Sequence, residues 1–244
     1  MTSTAAMLAI GDELLSGRTK DRNIAHLAEV LTMAGIDLKE VRIVGDEEPP
    51  IVEALNALRQ RWDFVFTSGG IGPTHDDITA DAVGSAFGLP VGPHEAAMRL
   101  MGDHYAARNL EFTEARRRMA RTPQGASLID NPVSVAPGFR IGNVFVMAGV
   151  PSVFQAMLDG VLPQLPTGVP VQSTAIPCAF AEGVIGGPLG EIAKRHPAVS
   201  IGSYPRSGGG GPYTELVVRS RDAAALEAAA AEVRAMLEAL EAGA

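Results

Sequence analysis

The chain has 244 residues, with 20 Lys or Arg against 28 Asp or Glu, a formal net charge of −8, and 46% hydrophobic residues. That acidic balance argues against nucleic-acid and membrane partners, and a single cysteine, Cys178, excludes an intrachain disulfide framework and fits a reducing compartment. The length holds one large domain, or one domain and a small second one. The N-terminus lacks a basic n-region, and its apolar run over residues 5–10 is too short for a signal-peptide core or a membrane span. A cytoplasmic location is expected.

Residues 5–10 read as the first strand, ending in Gly11-Asp12-Glu13-Leu14-Leu15-Ser16-Gly17, a loop with two carboxylates and two glycines. A helix is predicted over about residues 21–34, where Ile24, Leu27, Ala28 and Leu31 form one apolar stripe and Gly35 stands at the C-terminal cap. Residues 36–44 read as the second strand, with Gly45-Asp46-Glu47-Glu48-Pro49 as its exit. Ile51, Leu55, Leu58 and Trp62 mark the next helix, and Phe64-Val65-Phe66 a buried third strand. Strand and helix alternate three times, the pattern of an open parallel sheet covered by helices.

The third strand opens into Thr67-Ser68-Gly69-Gly70-Ile71-Gly72-Pro73-Thr74-His75-Asp76-Asp77-Ile78-Thr79, followed by a helix from Ala80. Gly69, Gly70 and Gly72 let backbone N–H groups approach a ligand closely beside a helix N-terminus, a natural anion cradle. Asp76 and Asp77 would repel a bare phosphate, a conflict that a divalent cation removes. The competing account is that these aspartates cap the next helix. Asp12, Glu13, Asp46, Asp76 and Asp77 all lie just past predicted strand ends, on the sheet edge where such folds bind ligands. Against this, carboxylates favour loops and first helical turns in general.

Residues 88–121 read as mostly helical, with candidate helices at 94–108 and 113–121. Arg116-Arg117-Arg118 and Arg121 make a basic cluster, either a solvated face or a reach toward the phosphate site. Pro123 ends the helical stretch. Residues 126–129 read as a short strand, Asn131-Pro132 and Pro137-Gly138 as turns, and residues 143–147 as a central strand. That strand exits through Ala148-Gly149-Val150-Pro151 into a helix running to about Leu162.

The Pro- and Gly-rich stretch over residues 165–170 predicts a boundary, giving domains 1–167 and 168–244. The second reads as βαββα, with strands at 173–180, 198–203 and 213–220 and helices at 187–195 and from about 222. Its Gly208–Gly211 run reads as a hairpin connection, and no catalytic constellation appears in it. Its final helix carries Glu227, Glu232, Glu238 and Glu241, so nucleic-acid binding is not expected; packing or assembly of a homo-oligomer is. The five histidines show no zinc-site spacing, and Ser16 and Ser68 lack a nucleophile elbow.

The stretch TSGGIGPTHDDIT resembles the signature loop of the molybdopterin-binding domain. That domain occurs in molybdenum-cofactor biosynthesis proteins, in competence/damage-inducible (CinA) proteins and at the N-terminus of eukaryotic FAD synthase. Gly11-Asp12-Glu13-Leu14-Leu15 with Asn23, Asn131-Pro132 with Ala136-Pro137-Gly138, and Gly149-Val150-Pro151 resemble further motifs of the CinA branch, over about residues 5–165. The remainder resembles the small KH-like domain of that branch, with Tyr204 placed accordingly. The resemblance implies an α/β fold: a three-layer αβα domain followed by a small α+β, KH-like domain. It implies that Asp46 and Asp77 are catalytic, and that Asp46, Asp76 and Asp77 hold Mg²⁺, Mn²⁺ or Co²⁺. It implies substrate contacts from Gly11, Asp12, Gly69, Gly70, Gly72, Thr74, Asn131, Pro137 and Gly138. The activity it points to is metal-dependent hydrolysis of a nucleotide pyrophosphate such as ADP-ribose or FAD. The alternatives are non-catalytic binding of molybdopterin or another pterin phosphate, and adenylyl transfer in molybdenum-cofactor synthesis. Neither the amidohydrolase domain of CinA proteins nor an FAD-synthesising domain has a counterpart here, so those activities are not expected.

Overall fold

The computed structural model describes residues 2–206 and 213–242. The chain divides into two compact units, meeting in sequence at Gly168 and Val169. In the first, β1 (Thr4–Ile10) leads through the short α1 (Asp12–Leu15) to α2 (Asn23–Met33), β2 (Asp37–Val44), α3 (Glu48–Arg61) and β3 (Phe64–Ser68). Next come α4 (Thr79–Phe87), β4 (Val91–Pro93), α5 (Glu95–Ala106), α6 (Glu114–Arg118), β5 (Arg121–Pro123) and β6 (Ser127–Ile129). The unit closes with β7 (Gly138–Ile141), β8 (Val144–Met147) and α7 (Pro151–Val161).

Six strands form one sheet in the order β2-β1-β3-β8-β7-β6. β1 is buried from Ala5 to Ile10, the continuous apolar run of a central parallel strand covered on both faces. On one face Met7, Phe66, Phe145 and Met147 pack under α2 and α7, with the Phe66 and Phe145 rings stacked 5.2 Å apart. On the other, Leu8, Ile10, Val65 and Val146 pack under α3 and α4. The connection β1–α2–β2 therefore covers one face, and β2–α3–β3 crosses β1 on the other. The switch between these directions falls between the carboxyl ends of β1 and β3, where open α/β sheets form their ligand crevice.

The sheet departs from the all-parallel pattern expected above. β2, β1, β3 and β8 run parallel, but β7 and β6 pair antiparallel at the far edge. The cause is a two-residue hairpin loop, Gly142-Asn143, with Gly142 at φ 57°. Asn143 pins the hairpin by donating to the Arg59 and Trp62 carbonyls at the end of α3. Gly138, expected in a turn, opens β7. The helix expected over residues 113–121 stops at Arg118, because Arg121–Pro123 pairs with Val91–Pro93. Residues 12–15, expected as loop, make one helical turn, and Asp21, expected inside α2, accepts from the Ile24 N–H just ahead of it.

The second unit is β9 (Gln172–Cys178), α8 (Glu182–Arg195), β10 (Ser200–Arg206), β11 (Tyr213–Ser220) and α9 (Ala223–Ala242), an α+β arrangement with an antiparallel sheet ordered β10-β11-β9. Ile176, Leu216 and Val218 on one sheet face pack against Ile185, Leu189 and Ile192 of α8 and Leu226, Val233 and Leu237 of α9. α8 starts five residues before the expected position, its glycines and internal Pro188 having masked the helical pattern. Glu232 of α9 is held by Arg195 and His196, at 2.8 and 2.9 Å. The Gly208–Gly211 run lies outside the described residues. Among those described, no helix is long and apolar enough to cross a membrane.

Candidate functional site

All four parallel strands end at one cavity of about 550 Å³ in the first unit. The β1 exit brings Gly11 and Glu13 to it, the β2 exit Asp46, the β3 exit Gly69 to Gly72 with Asp76 and Asp77, and the β8 exit Gly149 and Pro151. Met119 and the loop residues Asn131, Ser134 and Ala136 complete the wall. The volume falls within the range of small-molecule sites.

The glycine loop is locked against the ends of β1 and α4. Gly69 has φ 108° and Gly70 φ 67°, both in the region that side chains disfavour. A Cβ on Gly69 would run into the Ile10 carbonyl oxygen, and one on Gly70 into Thr79 Oγ1. Thr79, fully buried, donates from Oγ1 to the Gly69 carbonyl and from its N–H to the Gly70 carbonyl, both at 3.0 Å. Behind the loop, Asn23 is buried and donates to Ser68 Oγ at 2.7 Å and to the Gly149 carbonyl at 2.8 Å, tying the β3 and β8 exits to α2.

Each of two carboxylates has one oxygen anchored. Asp46 Oδ2 accepts from the Asp12 N–H at 2.9 Å, and Asp12 Oδ1 accepts from the Asp46 N–H at 3.3 Å. Asp77 Oδ2 accepts from the Thr74 N–H at 2.8 Å and from Thr74 Oγ1 at 2.5 Å. The second oxygen of each has no hydrogen-bond partner among the described residues. Burial holds the Asp46 carboxyl above its ordinary range; the charges of Asp12, Glu13 and Asp76 push the same way, against the Asp12 N–H. In that window the folded protein binds the proton more tightly than the unfolded chain, so stability falls as pH rises through it. Replacing Asp46 with Asn removes this penalty and keeps the acceptor for Asp12. In chelator at neutral pH, Asp46→Asn is expected to melt at or above the wild-type temperature, with the difference vanishing below the aspartate range. A melting point several degrees lower in calorimetry would contradict the electrostatic account.

Among the described residues, no three His, Cys, Asp or Glu side chains converge on a ready-made metal centre. Mg²⁺ rarely uses such cages; it takes one or two carboxylates and completes its shell with water and substrate phosphate. The free oxygens of Asp46 and Asp77, with Asp76 more than half exposed beside them, suit an ion that arrives with its phosphate ligand. Among the described residues, no Lys or Arg lines the main cavity.

The predicted residues divide by what they touch. Gly11, Asp46, Gly69, Gly70, Gly72, Asp76, Asp77 and Asn131 line the main cavity. Asp12 and Thr74 do not; they orient Asp46 and Asp77. Asn131 lines the wall with its amide fully engaged: Oδ1 accepts from the Val133 and Ser134 N–H groups, and Nδ2 donates to Ser134 Oγ and the Ala136 carbonyl. It shapes the loop. Pro137 lines a smaller adjoining cavity, and Gly138 sits in β7, where a Cβ would meet the Val146 carbonyl. Thr19, Ser134 and Met119 line the cavity and carry no sequence signal that would have singled them out.

The family described as probable molybdopterin binding domain matches residues 6–167, and the middle domain of FAD synthase matches residues 170–242. A protein of Pyrobaculum calidifontis is 35% identical over 83% of this chain and 81% of its own. One of Aeropyrum pernix is 34% identical over 98% of this chain and 92% of its own. A CinA-like protein of Myxococcus xanthus is 37% identical over 65% of this chain, a match spanning only 39% of that protein. The crystal structure of the protein CinA from Thermoplasma acidophilum, described as of unknown function, aligns with a TM-score of 0.62 at 30% identity, over 67% of this chain and 98% of that one. The strand-exit cavity, the glycine loop that walls it and these matches together place the chain in the molybdopterin-binding domain family, in its CinA-like branch.

Proposed function

We propose that the first unit binds a nucleotide pyrophosphate of the ADP-ribose or FAD type and hydrolyses it with a divalent cation. The observation that carries this reading is that one cavity is walled both by the glycine loop, Gly69 to Gly72, and by the half-free carboxylates of Asp46 and Asp77, with no Lys or Arg lining it among the described residues. An anion beside four carboxylates needs positive charge, and among the described residues neither Lys nor Arg supplies it from the cavity wall.

The glycine loop would hold the non-reacting phosphate through the N–H groups of Gly70, Ile71 and Gly72, that of Gly69 being taken by the Met147 carbonyl, as preorganised dipoles that need no rearrangement in the transition state. Asp46 and Asp77, with Asp76, would hold Mg²⁺, Mn²⁺ or Co²⁺, which supplies charge neutralisation and an acidified water. Ile10, Ile71, Met119, Val150 and Val153 give the same cavity an apolar wall suited to a flat ring system. In the reaction a water oxygen bonds to one phosphorus and the bond from that phosphorus to the bridging oxygen breaks. ADP-ribose plus water yields AMP and ribose 5-phosphate; FAD plus water yields AMP and FMN; the protons released pass to solvent.

The test is incubation of the purified chain with ADP-ribose or FAD and each of the three metals, with chromatography of the products. Cleavage with metal and none in chelator supports hydrolysis. If no pyrophosphate is cleaved and molybdopterin binds tightly without metal, the site is a pterin binder. Transfer of an adenylyl group from ATP to molybdopterin would assign it to cofactor synthesis.

A further inference from the structure

Four arginines stand together around α6 and β5, and three have partners. Arg116 donates to the Glu111 carbonyl and lies 4.5 Å over the Tyr105 ring; Arg117 lies 5.5 Å over Phe112. Arg121 forks onto Asp81 with bonds of 2.6 and 3.0 Å. Arg118 has no hydrogen bond, ion pair or ring contact among the described residues, and its Nε is buried. A guanidinium N–H taken out of water with no acceptor is costly, and native structures rarely leave one so.

Arg118 lines a second cavity of about 20 Å³ with Gly70, Gly72, Asp77, Phe139 and Arg121, the last already held by Asp81. Gly70, Ile71, Gly72, Asp77 and Met119 are shared with the main cavity, so the glycine loop is their common wall. A volume of this size admits one oxygen-sized group and no more.

We infer that Arg118 completes an oxyanion subsite at the glycine loop, taking one non-bridging oxygen of a phosphoryl group bound in the main cavity. This rests on the phosphate reading proposed above. It gives that site an unpaired fixed cation, which its own wall lacks, in the residue type whose planar donors match phosphate oxygens. Asp77, in the same small cavity but beyond ion-pairing distance, leaves the guanidinium unquenched. Arg116 and Arg117 hold the short α6 against aromatic rings.

The experiment is calorimetric titration of the full chain with inorganic pyrophosphate and with ADP-ribose, each with and without Mg²⁺. Arg118→Gln is expected to weaken both on the order of 100-fold. Arg118→Lys should recover part of the loss, and added millimolar guanidinium should restore binding to Arg118→Ala where equal NaCl does not. Melting temperatures should stay close to wild type, since no native bond is removed. If wild type binds pyrophosphate and Arg118→Gln binds it equally well, the small cavity holds only water and the inference fails while the phosphate reading stands. If wild type binds neither ligand under any condition, the phosphate reading falls and the subsite with it.

Discussion

Asp77→Asn is expected to lower kcat/KM for pyrophosphate cleavage by on the order of 10³ while leaving the fold intact, a loss of several kcal/mol of transition-state stabilisation. The substitution is nearly isosteric, and the Asn carbonyl oxygen can accept both bonds from Thr74 that Asp77 Oδ2 now accepts. The loop therefore keeps its shape. What disappears is the negative charge on the other oxygen, which has no hydrogen-bond partner among the described residues. Melting temperature by calorimetry should move little, and the cation concentration needed for half-maximal activity should rise. Wild-type turnover in this variant would remove Asp77 from the proposed cation site and leave Asp46 with Asp76 as its candidates. Thr74→Val, which loses only the hydroxyl bond, should give a smaller loss that more cation partly restores.

Gly69→Ala is expected to be the most damaging single methyl in the first unit. At φ 108° the new side chain is strained by itself, and its Cβ would occupy the space of the Ile10 carbonyl oxygen at the end of β1. A backbone atom in a central strand cannot move aside as a side chain could. Strain and clash together should cost about 3 kcal/mol, which for a unit of this size lowers the melting temperature by roughly 6–12 °C. Because relief requires the loop to lift off β1, ligand binding should be lost even below that temperature. Gly92→Ala is the control: no atom stands within 4 Å of its Cβ position and its φ is not positive, so it should be close to neutral. Equal melting points for the two variants would mean that the loop does not pack on the β1 terminus as described.

Several elements were legible because their determinants are local. The unbroken apolar run of β1, the Ile24–Leu27–Leu31 stripe of α2 and the glycines after β3 each declare a strand, a helix face or a tight loop within a dozen residues. The carboxylates at the strand exits could be placed on one edge of the sheet because parallel strands joined by crossover helices all end on the same side. The short strands β4, β5 and β7 could not be read, although β6 was. At three or four residues they have too little periodicity of their own and exist through pairing, Gly92 with Thr122 and Phe139 with Val146.

The same division runs through the site. Residue type and position past a strand end were enough to nominate Asp46, Asp76, Asp77 and the three glycines. Only the folded chain separates residues that face the cavity from those that hold them. Asp12 clasps Asp46, Thr74 anchors Asp77, and Asn131 spends its whole amide on its own loop. In the run Arg116-Arg117-Arg118, sequence shows three equal charges. Packing against Tyr105 and Phe112 takes two of them and leaves the third beside the glycine loop. Composition and local pattern settle what a segment can become and which chemistry it carries. Which of several like residues meets the ligand depends on contacts between segments far apart in the chain, and those exist only once the sheet has closed.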